Sequence, residues 1–430
     1  MTLLAGLLTG SCLLAAPVAK PTFHKDVQPI LQRNCTGCHR PGEAAPMSFL
    51  TYKEVRPYAA AIKNAVSQKR MPPWNADPKV GHFSNDRSLK PAELDTLLAW
   101  IASGAPEGNT KDSPAAAVYA DGWSIGKPDV VIEMEGSFKV PATGTVDYHY
   151  LVMPTNFKQD TWISAAEARP ANRQVNHHII AFVREPNSKW LRDVAPGVPV
   201  VPTKSGGEGM GMAEFLVGYA PGTIPEQMKP GQAKLIKAGS DIVFQIHWTA
   251  NGKEAEDHPK LGLVIAKEAP KERVVTLSAG NYKFEIPPGA DNHQVDGKMT
   301  LYSDTTLESL FPHMHVRGKS FAMRVQYPDG QVKELLNVPH YDFNWQLGYN
   351  LSEPLKLPKG TQVQATGWFD NSPNNKNNPD ATKTVKFGEQ SWEEMMIGFF
   401  NVSVPADANI ADIFREKKKP AAPPSSGALD

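Results

Sequence analysis

Residues 241–250 read DIVFQIHWTA. Ile242, Phe244, Ile246 and Trp248 alternate with Val243, Gln245 and His247, the period-two pattern of a strand whose successive side chains face opposite ways. His247 therefore stands on the face away from Phe244 and Trp248. Similar runs of Val, Ile, Thr, Phe and Tyr fill the chain beyond about residue 129, and 38 prolines and 33 glycines supply turns between short strands. Most of the chain is expected to be β. At 430 residues it exceeds one ordinary core, so roughly two to four domains are expected.

Lys plus Arg and Asp plus Glu both number 45, so no net field draws the chain to nucleic acid or an anionic membrane. The segment 1–19, MTLLAGLLTGSCLLAAPVA, is apolar with small residues near its end and resembles the hydrophobic part of a secretory signal, without the usual positive residues ahead of it. Export, bacterial periplasmic or secreted, is the expectation. The segment is then cleaved, kept as an N-terminal tether, or lipidated at Cys12. Beyond it no run reaches the roughly 18 apolar residues of a membrane span.

Cys12, Cys35 and Cys38 are the only cysteines, too few for a disulfide scaffold. Residues 35–39 read CTGCH, the spacing by which two thiols bond haem vinyl groups while the adjacent histidine ligates iron. A thioredoxin-like pair lacks its βαβ context here, and a zinc site lacks a second cysteine pair. Three helices are expected around the motif: FHKDVQPILQRN, PYAAAIKNAVSQK and PAELDTLLAWIASG, the last with a core stripe of Leu94, Leu97, Leu98 and Ile101. Met71, in RMPPW, is the expected sixth iron ligand because the prolines after it stiffen the loop, with Met47 and His82 as competitors. Residues 20–108 thus resemble the compact bacterial c-type cytochromes. Residues 109–128, small, polar and proline-bearing, read as a linker.

Histidines recur in the β region. RQVNHHIIAFV sets His177 and His178 side by side; strand neighbours face opposite ways, so joint ligation requires a bulge, a strand end or different ring nitrogens. LFPHMHVRG (310–318) places His313 and His315 on one face with Met314 pointing away. GEQSWEEMMIGFF (388–400) puts Met395 and Met396 in an apolar strand, where methionine ordinarily fills core. Each motif alone is compatible with structural side chains. Two imidazoles beside a thioether, however, form a soft set suited to Cu(I) rather than to zinc, calcium or magnesium.

The order HH, QxH, HxH, EEM resembles the copper type II, ascorbate-dependent monooxygenases, the peptidylglycine α-hydroxylating and dopamine β-monooxygenase family, over about residues 129–408. That resemblance implies a mainly β fold of two tandem jelly-roll-type β-sandwiches, 129–268 and 269–408, after a small all-α cytochrome c domain. It implies two copper ions: His177, His178 and His247 at an electron-storing copper, and His313, His315 and Met395 at the copper that binds O2. Met395 is preferred to Met396 because it follows Glu393 and Glu394, as the family's methionine follows its acidic pair. The implied activity is hydroxylation of a substrate C–H bond, with electrons from ascorbate or a redox protein, or relayed by the covalently bound haem held by Cys35, Cys38, His39 and Met71. Gln245 is a candidate partner for a ligand histidine and, equally, for structural hydrogen bonding.

Where peptide-amidating members carry arginine, asparagine and tyrosine for a substrate carboxylate, this chain has Phe311, Ile397 and Phe399, so an apolar or uncharged small molecule is expected. Two other functions compete with the oxygenase: a periplasmic haem/copper electron-transfer or copper-binding protein without oxygenation, and a zinc hydrolase built on the three-histidine set. YDFNWQLGYN (341–350) and FDNSPNNKNNPD (369–380) are candidate cleft walls. His24, His82, His149, His258, His293 and His340 stand outside any motif. KSGGEGMGM (204–212) lacks the Lys-Ser/Thr of a phosphate loop and reads as a flexible loop, and 409–430 as a disordered tail.

Overall fold

The computed structural model describes residues 20–43, 45–119, 122–201, 214–223 and 225–416; the signal-like segment with Cys12, the glycine-rich 204–212 and the end of the tail lie outside them. The fold is mainly β. Two compact units divide the chain: Met1–Pro41, Ala45–Pro72 and Leu89–Ala117 form one, and Gly42–Ala44, Pro73–Ser88 and Val118–Asp430 the other.

The first unit carries helices and, among the described residues, no strand. Phe23–Val27 and Gln28–Asn34 run on as one helical segment ahead of the CTGCH turn, and Ala59–Ser67 and Pro91–Ala102 follow. A short helix, Tyr52–Val55, is held by a capping box between Thr51 and Glu54 that periodicity does not reveal. Within Pro91–Ala102 the fully buried residues are Leu97 and Trp100, while Leu94, Leu98 and Ile101 are only partly covered. The core stripe is thus rotated from the expected leucine row toward the larger indole. Thr110–Asp112 forms an exposed 3-10 turn and the unit runs to Ala117, so this part of the expected linker belongs with the first unit.

In the second unit the longest sheet joins two halves. Val130–Glu133, Lys260–Ile265, Thr161–Arg169 and Gln232–Ile236 continue into Glu272–Asn281, Met396–Pro405, Thr305–His313 and Tyr349–Leu357. The two halves meet where Glu272 and Arg273 pair in parallel with Gln232 and Ala233. Over the first half lies a four-stranded sheet, His149–Pro154, Asp241–Trp248, Asn176–Arg184, Glu214–Tyr219; over the second lies His293–Thr300, Gln362–Phe369, Gly318–Gln326, Val332–Val338. Each pair of layers closes on its own apolar core, as two faces with alternating apolar residues must.

Two boundaries differ from the sequence reading. Residues 73–88 belong with the second unit: Trp74 and Phe83 pack on Tyr349 at 4.9 and 5.3 Å, and the main-chain carbonyl of His82 accepts from Ser352 N–H. The tail assigned to 409–430 begins as structure, with a one-turn helix Ala411–Phe414 whose Ile413 is buried in the second core. Among the described residues no helix is long and apolar enough to cross a membrane.

Candidate metal centre

Asn176–Arg184 and Asp241–Trp248 are antiparallel neighbours. Asn176 pairs with Trp248 and His178 with His247, and the register shifts between Asn176 and His178. His177 is therefore the extra residue of a β-bulge, which turns its side chain to the side that its neighbour already faces. One ligand atom from each of His177, His178 and His247 lies within 4.8 Å of the others. Phe244, Ile246 and Trp248 enter the sandwich core, leaving His247 on the opposite face. Buried Asp257 closes this end of the sheet. Its carboxylate accepts from Asn176 Nδ2 at 2.9 Å and Trp248 Nε1 at 2.8 Å, the residues next to His177 and His247, and from the Asn172 N–H at 2.8 Å.

The second set sits at the end of another ladder. Thr305–His313 pairs with Met396–Pro405 up to His313 opposite Ile397, and two residues beyond that rung are His315 on one chain and Met395 on the other. The His313 and His315 rings lie 5.2 Å apart at 86°. Met314 and Met396 are fully buried in the second core, where both press on Gly367, whose lack of a side chain admits them. Met395 is half-buried and lies outside that core. His313 Nδ1 bonds Gln346 Oε1 at 2.6 Å, and the Tyr341 hydroxyl both accepts from Met314 N–H and donates to Met314 C=O.

The two sets are neighbours within one chamber. Tyr148 packs on His178 and His247 at 4.9 and 4.5 Å between ring centres and reaches His315 at 6.5 Å; Phe343 stacks on His177 at 4.5 Å and meets His315 at 6.1 Å. Burial lowers all five imidazoles, His177 and His313 to about 4 and His247 to about 3, with His178 and His315 also pushed well below the usual value. They are neutral at pH 7. Both nitrogens of His177, Nε2 of His178, Nδ1 of His247 and Nε2 of His315 are buried without a hydrogen-bond partner. Orphaned buried nitrogens on neutral rings are unfavourable unless they have an acceptor for their lone pairs, and convergent lone pairs are what a metal ion takes. The residues present therefore fit a metal, and the His, His, Met chemistry of the second set fits copper.

A cavity of about 400 Å3 opens beside one histidine from each set, His178 and His313. Ile180, Phe215, Leu310, Phe311, Leu347 and Phe399 give it apolar walls, and the Phe399 ring lies 6.2 Å from His313. Its other end is polar, where Glu308 is engaged by Lys229, Gln232 and Ser403. Of the two expected cleft walls, 341–350 contributes Gln346, Leu347, Gly348 and Asn350, whereas 369–380 contributes none. The latter instead braces Arg317, whose Nε donates to Asn371.

In the first unit, Cys38 N–H and His39 N–H both donate to the Cys35 carbonyl, so the three side chains of the motif leave a single turn. The His39 ring stacks on Phe49 at 4.3 Å and 7°. Burial pushes the Cys35 thiol up to about 12, with Cys38 and Glu93 adding to it, the opposite of the low-pKa thiolate that a dithiol oxidoreductase needs. Cys35 and Cys38, not joined by a disulfide and side by side with an imidazole, fit covalent haem attachment. Met47 packs against this unit's core and Met71 is half-buried at the end of its middle segment, while His82 belongs to the other unit.

Of the two roles expected of Gln245, the structure shows structural hydrogen bonding: its amide donates to the Tyr150 hydroxyl, which in turn donates to Glu389. Sequence reasoning missed Tyr148 and Asp257, marked Phe343 and Gln346 only as part of the 341–350 cleft wall, and named Glu394 only as the acidic residue before Met395.

No family model and no curated protein matches this chain. Among solved structures it is similar to that of infectious bursal disease virus Gx strain, at 9% identity over 66% of this chain and 74% of that one with a TM-score of 0.19. It is likewise similar to the infectious bursal disease virus VP2 subviral particle, at 10% over 67% and 75% with a TM-score of 0.19, and to the N-terminal CBM22-1-CBM22-2 tandem domain from Paenibacillus barcinonensis Xyn10C, at 8% over 63% and 92% with a TM-score of 0.13.

Proposed function

We propose that the protein is an exported, periplasmic copper-dependent monooxygenase that hydroxylates a C–H bond of an uncharged, largely apolar small molecule, with a c-type haem as its electron donor. The observation that carries this reading is three imidazoles within ligand distance of one another, with the buried pair His313 and His315 packed nearby through Tyr148 and Phe343, four of the five rings holding orphaned nitrogens, and an aromatic-walled cavity beside His178 and His313. In this reading the two layered halves are jelly-roll-type sandwiches. His177, His178 and His247 hold one copper and His313, His315 and Met395 the other, while Cys35, Cys38, His39 and Met71 hold the haem. Bound copper would supply O2 activation and one-electron chemistry, and the haem one-electron transfer.

The chain's own part is positioning and exclusion. Gln346 accepts the Nδ1 proton of His313 and so directs its Nε2 outward. Tyr148 and Phe343 fill the space between the sets with ring carbon, which keeps bulk water from the buried imidazoles. Phe311 and Phe399 give the cavity apolar wall, with Phe399 next to His313, while Arg87, Lys229 and Glu308 are among its other lining residues, so an apolar group is favoured at the histidine end.

The test is metal analysis on full-length protein produced with cytochrome c maturation and titrated with copper, followed by a substrate screen under 18O2. One haem and two tightly held coppers per chain, with 18O in a hydroxylated product, are expected. Copper bound without copper-dependent O2 uptake would make the protein a haem/copper electron-transfer protein, and zinc that copper cannot displace would overturn the reading.

A further inference from the structure

We propose that Glu394 is the positioning residue of the second ligand set: it fastens the main chain just past His313, at His315 and Arg317, to the segment that delivers Met395, so that all three ligands meet. The proposal rests on reading that set as a copper site. The ladder between Thr305–His313 and Met396–Pro405 has its last rung at His313 and Ile397. Past that rung no strand pairing holds His315 and Met395 together, although both must reach one ion.

Glu394 stands where the missing rungs would be. Its side chain is fully buried; Oε2 accepts from His315 N–H at 2.8 Å and Oε1 from Arg317 N–H at 2.7 Å. Its own main chain is fixed in turn, N–H to the Lys386 carbonyl at 3.1 Å and C=O from Gly388 N–H at 3.0 Å. Met395 is the next residue. The carboxylate therefore takes the place of two ladder carbonyls, accepting alternate N–H groups of the opposite chain. The Arg317 guanidinium hydrogen-bonds Asn371 and the Trp392 carbonyl instead, which leaves both carboxylate oxygens to the main chain. No other side-chain type does this at the same length. A glutamine has one acceptor oxygen, and its amide would turn a donor toward one of the two N–H groups.

The experiment compares wild type, Glu394→Gln and Met395→Leu as full chains with haem in place and copper added. It reads copper stoichiometry, second-site affinity and the copper X-ray absorption spectrum of the reduced protein, with thermal unfolding of the metal-free form as a control. Wild type should bind two coppers and show sulfur at copper; Met395→Leu should lose the sulfur. Glu394→Gln should also lose it, with second-site affinity down about 10–100-fold and the first copper retained. A folded Glu394→Gln with sulfur and affinity unchanged overturns the proposal while leaving the copper reading intact. Wild type without a second copper, or without sulfur at copper, overturns both. Should Glu394→Gln not fold, Glu394→Asp takes its place: it keeps the carboxyl group, but being one methylene shorter it stops short of the two N–H groups. The same loss of sulfur is then expected, and its persistence overturns the proposal.

Discussion

The two histidine sets reach similar ends by different means. In the first, a sheet does the work: two ladder-paired histidines and one bulged residue between neighbouring strands put three imidazoles within ligand distance. In the second, the ladder has already ended, and a turn is tied down by Glu394 and Tyr341 while one imidazole is oriented by Gln346. Tyr148 and Phe343 pack closest on the first set's rings and more distantly on His315, while the second set adds hydrogen bonds. A site built into paired strands inherits its geometry from the fold, whereas a site past the end of a ladder depends on individual polar side chains.

Asp257 gives the largest expected break in that contrast, because it is where the first set also relies on a carboxylate. Asp257→Ala leaves the Asn176 amide, the Trp248 indole and the Asn172 N–H without their buried acceptor. Losing a charged acceptor shared by three donors is expected to destabilise the protein by about 3–5 kcal/mol, read by urea denaturation. The bulge is anchored on those same residues, so a folded Asp257→Ala should lose first-site copper and keep the second. Loss from both sites alike would mean that the sheet supports the whole chamber.

Acid should act on both sets, and comparably for each histidine. In the unfolded chain each histidine takes up a proton near pH 6.5. In the folded metal-free protein His177 and His313 do so only near 4 and His247 near 3, because burial disfavours the charged ring. The unfolded state thus binds more protons across this window, and stability present above pH 6.5 is lost as pH falls toward 4, by about 1.4 kcal/mol per pH unit for each such histidine. Denaturation of the metal-free protein between pH 7 and 4 would show the slope. The pair His177→Gln with His178→Gln and the pair His313→Gln with His315→Gln should each flatten it comparably; unequal shares would mean that one set is already protonated in the folded state.

Much of this was legible wherever a period or a local conflict existed. Alternation in 241–248 assigned the face of His247. The adjacency of His177 and His178 called for a bulge, a strand end or different ring nitrogens, and a register shift lies at that point. What period cannot report is contact across long separations: Glu394 with His315, Asp257 with Asn176, or Trp74 with Tyr349. Residues 73–88 sit between two helices in sequence yet pack on a distant strand, and no composition shift marks them. The helix Pro91–Ala102 shows the same limit on a smaller scale, since Trp100 takes the buried position expected of a leucine row.

The smallest expected effect separates hydrogen-bonded from ring-packed support most cleanly. Gln346 bonds His313 Nδ1 and also donates to the Phe343 carbonyl, while Phe343 stacks on His177. Gln346→Leu keeps the side chain's bulk and removes the acceptor that fixes the His313 tautomer. Loss of such a partner is expected to weaken second-site copper by about 10–100-fold with little change in first-site affinity. Phe343→Leu removes the stacked ring from His177 and keeps the polar contacts of the second set, so its effect should fall on the first site, smaller because a stacked pair contributes only about 0.5–1.5 kcal/mol. Copper affinities of the two variants, measured site by site, should therefore cross over. If both variants weaken both sites equally, Gln346 and Phe343 act as one wall, and the two sets form a single centre rather than two sites supported in different ways.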